Sequence, residues 1–410
     1  MRYPLGHTLR FSRYLFAKEA QLKSLDPKNF LADHWQKSPL FLPHAIGETC
    51  PALTGNELAW LAIQPDVESR LVFTDRSDAR TSYRLESGPF EEAYLGQLPE
   101  KDWTLLVQDV EKHLPDFRAW LGHAEFIPDW RIDDLMVSFA APGGSVGPHL
   151  DNYDVFLCQG EGTREWLTGD IGTAVPDELS DELSLLRSFP VTTSHNASQG
   201  DVLYLPPGIP HWGIAQDFCM TYSIGMRAPT KAELMAGADR IFDSTGNSLP
   251  PTNDLEVFYC DTDLEVNEAI RGCISGQTVR RVREQRLLDE SLSNEEIALV
   301  FGSVVTDPKA WLLADPADPK VLDETIQCNS DIPIHGMAQI AWHHNLSVWI
   351  VFANGLALKT SSRNGRFMQE ICGKRVAKSS AISSLCAQQD GREFFEWLLE
   401  QGVFDVGHNS

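Results

Sequence analysis

The 410-residue sequence predicts an α+β protein built on an antiparallel barrel or jelly roll, the latter being the architecture that cupins share, with a helical segment and a small helix-plus-hairpin domain after it. Three observations lead there. Between about residues 136 and 227, short apolar or alternating runs (LMVSFAA, HLDNYDVFLC, REWLTG, DVLYLPP, CMTYSIGMR) are separated by Gly and Pro, as in a block of antiparallel strands. Beyond Arg227 the apolar spacing turns helical, in TKAELMAGADRIFD, NEAIRGCISGQTVRRVREQRLLDE and SNEEIALVFG. The chain is also longer than one compact core usually spans, so two or three domains are expected.

Taken in order, residues 26–63 read as helix, short apolar strand, proline-marked turn and helix, with Thr54 capping NELAWLAI. Strands and turns alternate from SRLVFTD to Pro89. From Asp102, WTLLVQDVEKHL places apolar residues three and four apart, which predicts a helix. The strand block follows, and the helical region after it is broken by the acidic, proline-bearing NSLPPTNDLEVFYCDTD. Beyond Lys320, Asn354-Gly355 between apolar strands is a hairpin signal, and GREFFEWLLEQGVF is a closing amphipathic helix. The expected domains are 1–228, 229–305 and 306–410.

The formal net charge is -24, from 34 Lys and Arg against 58 Asp and Glu. Such a surface is repelled by phosphate backbones and anionic membranes and attracts basic partners. Eight cysteines are scattered without a CxxC pair, which fits reduced thiols in a cytoplasm. The N-terminus interleaves charges with apolar residues, unlike a signal peptide. No stretch approaches the roughly 18 uninterrupted apolar residues of a membrane span. A soluble cytoplasmic protein is expected.

The segment richest in chemistry is GGSVGPHLDNYDVFLCQGEGTREWLTG, residues 143–169. Alternate side chains on a strand share a face, so His149 and Asp151 could grip one ion together. GDVLYLPPGIPHWG supplies a later histidine, His211, after a strand and a Pro-Gly turn. Two imidazoles and a carboxylate with open positions form the non-heme Fe(II) pattern. An isolated HxD arises by chance in many chains; the Gly-rich turn before this one and the distal His in an all-β block give it weight. An oxygenase using 2-oxoglutarate also needs a cation for the far carboxylate. Arg164, on the strand after QGEG, could make that contact or could be a solvated edge-strand arginine. Tyr153 shares the His149 and Asp151 face, and lining the site is favoured over filling the barrel, since an aromatic there would exclude water and flank a long substrate side chain. His343 and His344 diverge as strand neighbours, and His195 in TTSHNASQG reads as a solvated turn residue.

The stretch DWRIDDLMVSFAAPGGSVGPHLDNYDVFLCQGEGTREW resembles the core of the bacterial JmjC ribosomal oxygenases. The likeness continues through LPPGIPHWG and YSIGMRAPT and, more faintly, through HWQKSPLFL and the later domains. It implies a double-stranded β-helix (jelly-roll or cupin) JmjC catalytic domain in which His149, Asp151 and His211 bind iron, while Arg164 and Ser138 contact 2-oxoglutarate, with O2 as the second co-substrate. It implies hydroxylation of an arginine β-carbon in ribosomal protein sixteen of the large subunit. It also implies a homodimer formed through the helical domain, for which NEAIRGCISGQTVRRVREQRLL fits as partner helix, although packing within one chain explains that pattern equally well. The C-terminal domain would be winged-helix-like, a fold often associated with DNA. Residues 301–410 hold nine Lys or Arg against twelve Asp or Glu, so no direct nucleic-acid binding is expected. The sequence departs from the family pattern at Glu165, where a further basic residue is common; its strand position directs it to the outer face. The extension before Asp26 has no assigned role. Rival functions are the same chemistry on another basic protein, as lysyl hydroxylation or demethylation, and a non-catalytic cupin that binds partners.

Overall fold

A computed structural model describes residues 25–406 apart from 47–52, 78–80, 125, 178–183, 243–255, 269 and 346–347. The extension before Asp26 lies almost entirely outside the described residues. The chain divides into two compact units, one running to Ala124 and resuming over Asp133–Met226, the other made of Glu125–Ile132 and the chain from Arg227 onward.

In the first unit, helix α1 (Pro27–Asp33) starts where the Asp26 carboxylate accepts the Lys28 N–H at 3.0 Å. Strand β1 (Leu40–Leu42) follows, then α2 (Gly55–Ala62), which begins in a reciprocal capping box between Thr54 and Glu57. Strands β2 (Ser69–Asp75) and β3 (Ser82–Ser87) pair antiparallel, with the short α3 (Glu92–Leu95) after them. The helix expected from Asp102 is not present. WTLLV forms strand β4 (Trp103–Val107), every residue of it buried, and only α4 (Val110–His113) and α5 (Pro115–Trp120) are helical. An apolar run this short fits a buried strand as well as a helix, and the place between β2 and β5 (Ile132–Ala140) decides for the strand.

The strand block appears as the sequence predicts. It comprises β6 (Val155–Glu161), β7 (Arg164–Thr168), a small ribbon of β8 (Val175–Pro176) and β9 (Leu186–Ser188), then β10 (Thr193–Ala197), β11 (Val202–Leu205), β12 (His211–Ala215) and β13 (Cys219–Met226). One sheet has the order β1-β11-β6-β13-β5-β4-β2-β3 and the other β10-β7-β12. The chain changes sheet at β6–β7, β10–β11, β11–β12 and β12–β13, the alternation of a jelly roll.

In the second unit, α6 (Lys231–Phe242), α7 (Gly276–Glu284) and α8 (Asn294–Val305) bury Leu234, Val279, Val282, Ile297 and Phe301 in one core with Trp130. The long helical run expected around NEAIRGCISGQTVRRVREQRLLDE is a helix chiefly over α7, where Ser275 caps it. The apolar face of α7 is covered by its own chain, which accounts for the amphipathic pattern without a partner. Next come α9 (Val321–Cys328), β14 (Ile332–Pro333), and a three-stranded sheet of β15 (Ile340–Asn345), β16 (Val348–Ala353) and β17 (Leu356–Thr360). Asn354 and Gly355, with φ of 47° and 82°, make the expected hairpin turn. The chain then forms α10 (Ser362–Lys374), β18 (Val376–Ala377), α11 (Ser379–Cys386) and the amphipathic α12 (Gln389–Glu400). Among the described residues no helix is long and apolar enough to cross a membrane.

Candidate metal centre

His149, Asp151 and His211 come together, each offering a ligand atom within 4.8 Å of the others. Among the described residues no other group of three or more His, Cys, Asp or Glu does so. The local reason differs from simple strand alternation. Residues 150–154 are irregular, and His149 belongs only to an isolated bridge with His211, the two exchanging backbone hydrogen bonds at 3.0 and 2.8 Å. Asp151 is fixed separately, its carbonyl accepting the Gly208 N–H at 2.8 Å. Gly208 has φ of +79°, so the Pro-Pro-Gly turn that leads into β12 also pins the carboxylate segment.

Both imidazoles are oriented by the same device. His149 Nδ1 meets the Gly147 carbonyl at 2.9 Å, and His211 Nδ1 meets the Ile209 carbonyl at 3.0 Å. A carbonyl only accepts, so each Nδ1 carries the proton and each Nε2 keeps a lone pair for a metal. His211 Nε2 lies 3.6 Å from an Asp151 oxygen. Burial, with the neighbouring His149, pulls the His211 pKa down to about 4, against the opposing charge of Asp151. The ring is therefore in its metal-binding neutral form at neutral pH. A donor set of two imidazoles and one carboxylate fits Fe(II) with positions left open for co-substrate.

Arg164 opens β7 and is only 3% exposed. Register places it opposite Ala215, while Trp166 faces Gly213 and Thr168 faces His211, so Arg164 and His211 share one face of the small sheet. Four residues of strand separate their positions, about 13 Å. A Cβ at Gly213 would come within 2.6 Å of the Trp166 ring, so glycine there lets the indole lie between the two. The guanidinium reaches Cys219 Sγ at 3.7 Å and the Trp166 ring, its Nε has no hydrogen-bond partner, and among the described residues no carboxylate pairs with it. Small residues pack nearby, Cys219 clustering with Ala140 and Ala215. Ser138 is buried on β5, two residues before Ala140 on the same strand face.

Two side chains beside the triad complete the picture. Tyr153 lies in the bend after Asp151, with 43% of its surface exposed. Burial of its inward end, together with the nearby negative charges of Asp151 and Asp134, pushes its pKa up. Asp134 is 7% exposed and shares the β5 face of Ser138; RIDDLMVSFA carries that alternation, but nothing in it marks a function. Asp154 explains the HWQKSPL motif. Tyr204 donates to it, Gln36 Nε2 donates to it at 3.0 Å, and the Gln36 N–H meets Tyr204 Oη at 2.8 Å, so the N-terminal segment braces the end of HLDNYD.

The remaining sequence candidates resolve simply. His343 is buried and meets the Ile274 carbonyl at 2.7 Å, whereas His344 is exposed and stacks on Trp349. His195 is not in a turn. It lies on β10, half-buried and stacked on Phe41 at 4.3 Å, because TTSHNAS pairs in register with β7. Glu165 points to the outer side, accepting from Ser194 at 3.1 Å.

Comparison with known proteins agrees with this geometry. The JmjC domain model matches residues 120–234. The chain is 35% identical over 305 residues to the ribosomal protein uL16 3-hydroxylase of Escherichia coli (strain K12), covering 73% of this chain and 77% of that one. It is 33% identical over 288 residues to a probable ribosomal oxygenase of Haemophilus influenzae, covering 68% of each. Among solved structures, the Escherichia coli ribosomal oxygenase YcfD in complex with cobalt and 2-oxoglutarate is similar with a TM-score of 0.70 at 27% identity, over 94% of this chain and 99% of that one.

Proposed function

The chain belongs to the JmjC-domain ribosomal oxygenases and is a 2-oxoglutarate-dependent oxygenase, and we propose that its substrate is an arginine of large-subunit ribosomal protein uL16, hydroxylated at the β-carbon in the cytoplasm. The observation that carries the chemistry is the open His149, Asp151 and His211 set sharing a sheet face with a buried Arg164 that has no carboxylate partner among the described residues. A buried, uncompensated guanidinium is costly, and the distal carboxylate of 2-oxoglutarate supplies the missing charge.

His149, Asp151 and His211 would hold Fe(II), which when bound would supply the oxidation by which O2 gives one oxygen atom to the substrate carbon and one to succinate as 2-oxoglutarate loses CO2. The chain's own residues do the rest. The Nδ1 contacts hold both imidazoles with Nε2 toward the metal. Arg164, with Ser138 adding a hydroxyl, orients the co-substrate along the β7 face. Asp134 presents a carboxylate for the substrate guanidinium, and Tyr153 flanks its alkyl stem and keeps water from the reacting carbon. The homodimer belongs to the same proposal. It is supported by Val257, Val266 and Ile270, which stay 42%, 44% and 47% exposed on the second unit. Light scattering of the full chain tests it.

The decisive experiment incubates the protein with Fe(II), 2-oxoglutarate and purified uL16, then measures intact mass and fragments the product. One added oxygen on an arginine is the expected result. Formaldehyde release would point instead to demethylation, and oxygen on a lysine to lysyl hydroxylation. No succinate under any condition would leave only a binding module.

A further inference from the structure

The loop that delivers His149 runs antiparallel beside β12 and is zipped to it at two places. At one end Gly143 donates to the Ala215 carbonyl at 2.8 Å, and Ala215 donates to Gly144 at 3.0 Å. At the other end lies the His149 and His211 bridge. Between them, among the described residues, no backbone hydrogen bond joins 145–148 to 212–214. That gap lies directly beside both metal-binding histidines. It is spanned by one side chain, Ser145, which is fully buried.

The Ser145 hydroxyl accepts the Gly147 N–H at 3.0 Å and the Trp212 indole N–H at 2.9 Å. Gly147 is the residue whose carbonyl orients His149, and Trp212 directly follows His211. One oxygen therefore ties the orienting group of one ligand to the chain neighbour of the other. The Ser145 carbonyl is itself held by Thr74 Oγ1 at 3.3 Å, so the tie is anchored to β2. The Tyr83 phenol on β3 also faces this hydroxyl, and burial pushes its pKa up to about 12, so it adds no charge near neutral pH.

We propose that Ser145 is a positioning residue for the metal centre, setting the spacing of the His149 and His211 imidazoles, whose ring centres lie 4.2 Å apart. The role rests on the triad reading given above. A hydroxyl that accepts two N–H groups in a buried site cannot be replaced by a methyl without leaving both donors unsatisfied. The cost should appear as looser ligand placement.

The test is a Co(II) titration of the full chain without substrate, read by visible absorption and calorimetry, with thermal unfolding of the metal-free protein measured alongside. Ser145→Ala should lower Co(II) affinity by about ten- to a hundred-fold, the range for groups that orient metal ligands. Trp212→Phe should lower it by less, and the double variant should fall short of the product of the two, because both act through one oxygen. His211→Ala separates the two levels. If it still binds Co(II) as the unaltered chain does, the triad reading fails. If it abolishes binding while Ser145→Ala binds normally, the triad stands and the positioning role is overturned. Should Ser145→Ala fail to fold, Trp212→Phe decides, and unchanged affinity in that folded variant overturns the proposal.

Discussion

Both units of the molecule bury arginines and histidines, and they treat them in opposite ways. In the C-terminal unit Arg281 is met by Glu268 at 2.8 Å and by Asp263 at 2.6 Å, and the fully buried Arg131 reaches Asp261 at 3.0 Å. His343 spends its proton on the Ile274 carbonyl and belongs to no group of three or more potential metal ligands among the described residues. In the barrel unit Arg164 meets a thiol and an indole, and two histidines converge on one carboxylate with their Nε2 atoms spare. Low-dielectric interiors penalise charge that is left uncompensated. A carboxylate beside each buried guanidinium is what a structural interior requires, whereas convergent ligands and a buried guanidinium without such a partner mark a place prepared for something that binds.

The strongest way to break this contrast is to delete histidines from both units. His149→Ala, Asp151→Ala and His211→Ala should each abolish succinate formation while circular dichroism stays near that of the unaltered chain. His343→Ala should do the reverse. It keeps turnover and loses about 1–3 kcal/mol of stability, because the Ile274 carbonyl is left buried without its donor. Near-normal turnover in any triad variant at saturating iron would remove that residue from the ligand set.

The arginines sharpen the same point with a smaller effect. Arg164→Ala removes the proposed charge-assisted contact, worth roughly 1.5–3 kcal/mol, so 2-oxoglutarate affinity should fall by about one to two orders of magnitude with iron affinity little changed. Without co-substrate the variant should be no less stable, since no carboxylate in the described chain loses a partner. Arg281→Ala should leave the co-substrate response alone and cost about 3 kcal/mol in urea unfolding, because it strands the half-buried Glu268 carboxylate beside an emptied guanidinium site. Equal stability losses in the two variants would erase the distinction between the units.

How much of this is legible in the sequence follows the same physical division. The jelly roll shows in the Gly- and Pro-punctuated runs, and the triad in HxD with a distal His after PPG, because metal ligands must be particular residue types at short spacing. Strand β4 passes for a helix because WTLLV is apolar throughout and carries no period, so only its neighbours in the sheet can assign it. His195 passes for a turn residue because a polar strand gains its pairing from β7. Ser145 and Asp154 are illegible for another reason. Their roles consist of contacts to Trp212, Tyr204 and Gln36, and nothing local in the sequence marks a serine or aspartate as facing those partners.

The smallest expected effect concerns charge at long range, and it again sets one unit against the other. Residues before Arg227 carry 17 Lys or Arg against 32 Asp or Glu, while the chain from Arg227 onward carries 17 against 26. The barrel side is the more acidic, and a basic ribosomal protein should be steered toward it. For a uL16 peptide containing the proposed target arginine, kcat/KM should fall as salt rises to about 0.15 M, where screening sets in at about 8 Å. The maximal rate should stay nearly level, because the reacting groups are already in contact and largely shielded from solvent ions. Neutralising two exposed acids on the barrel side, Glu91→Gln with Glu92→Gln, should flatten that salt dependence about two-fold more than Glu400→Gln with Asp405→Asn in the C-terminal unit. The measurement is a salt series on all three proteins, with duplex DNA and RNA binding measured in parallel. Equal slopes in the two variants would place the steering charge on the whole molecule rather than on the barrel. A salt-independent kcat/KM, or tight nucleic-acid binding at physiological salt, would overturn electrostatic selection of a basic protein altogether.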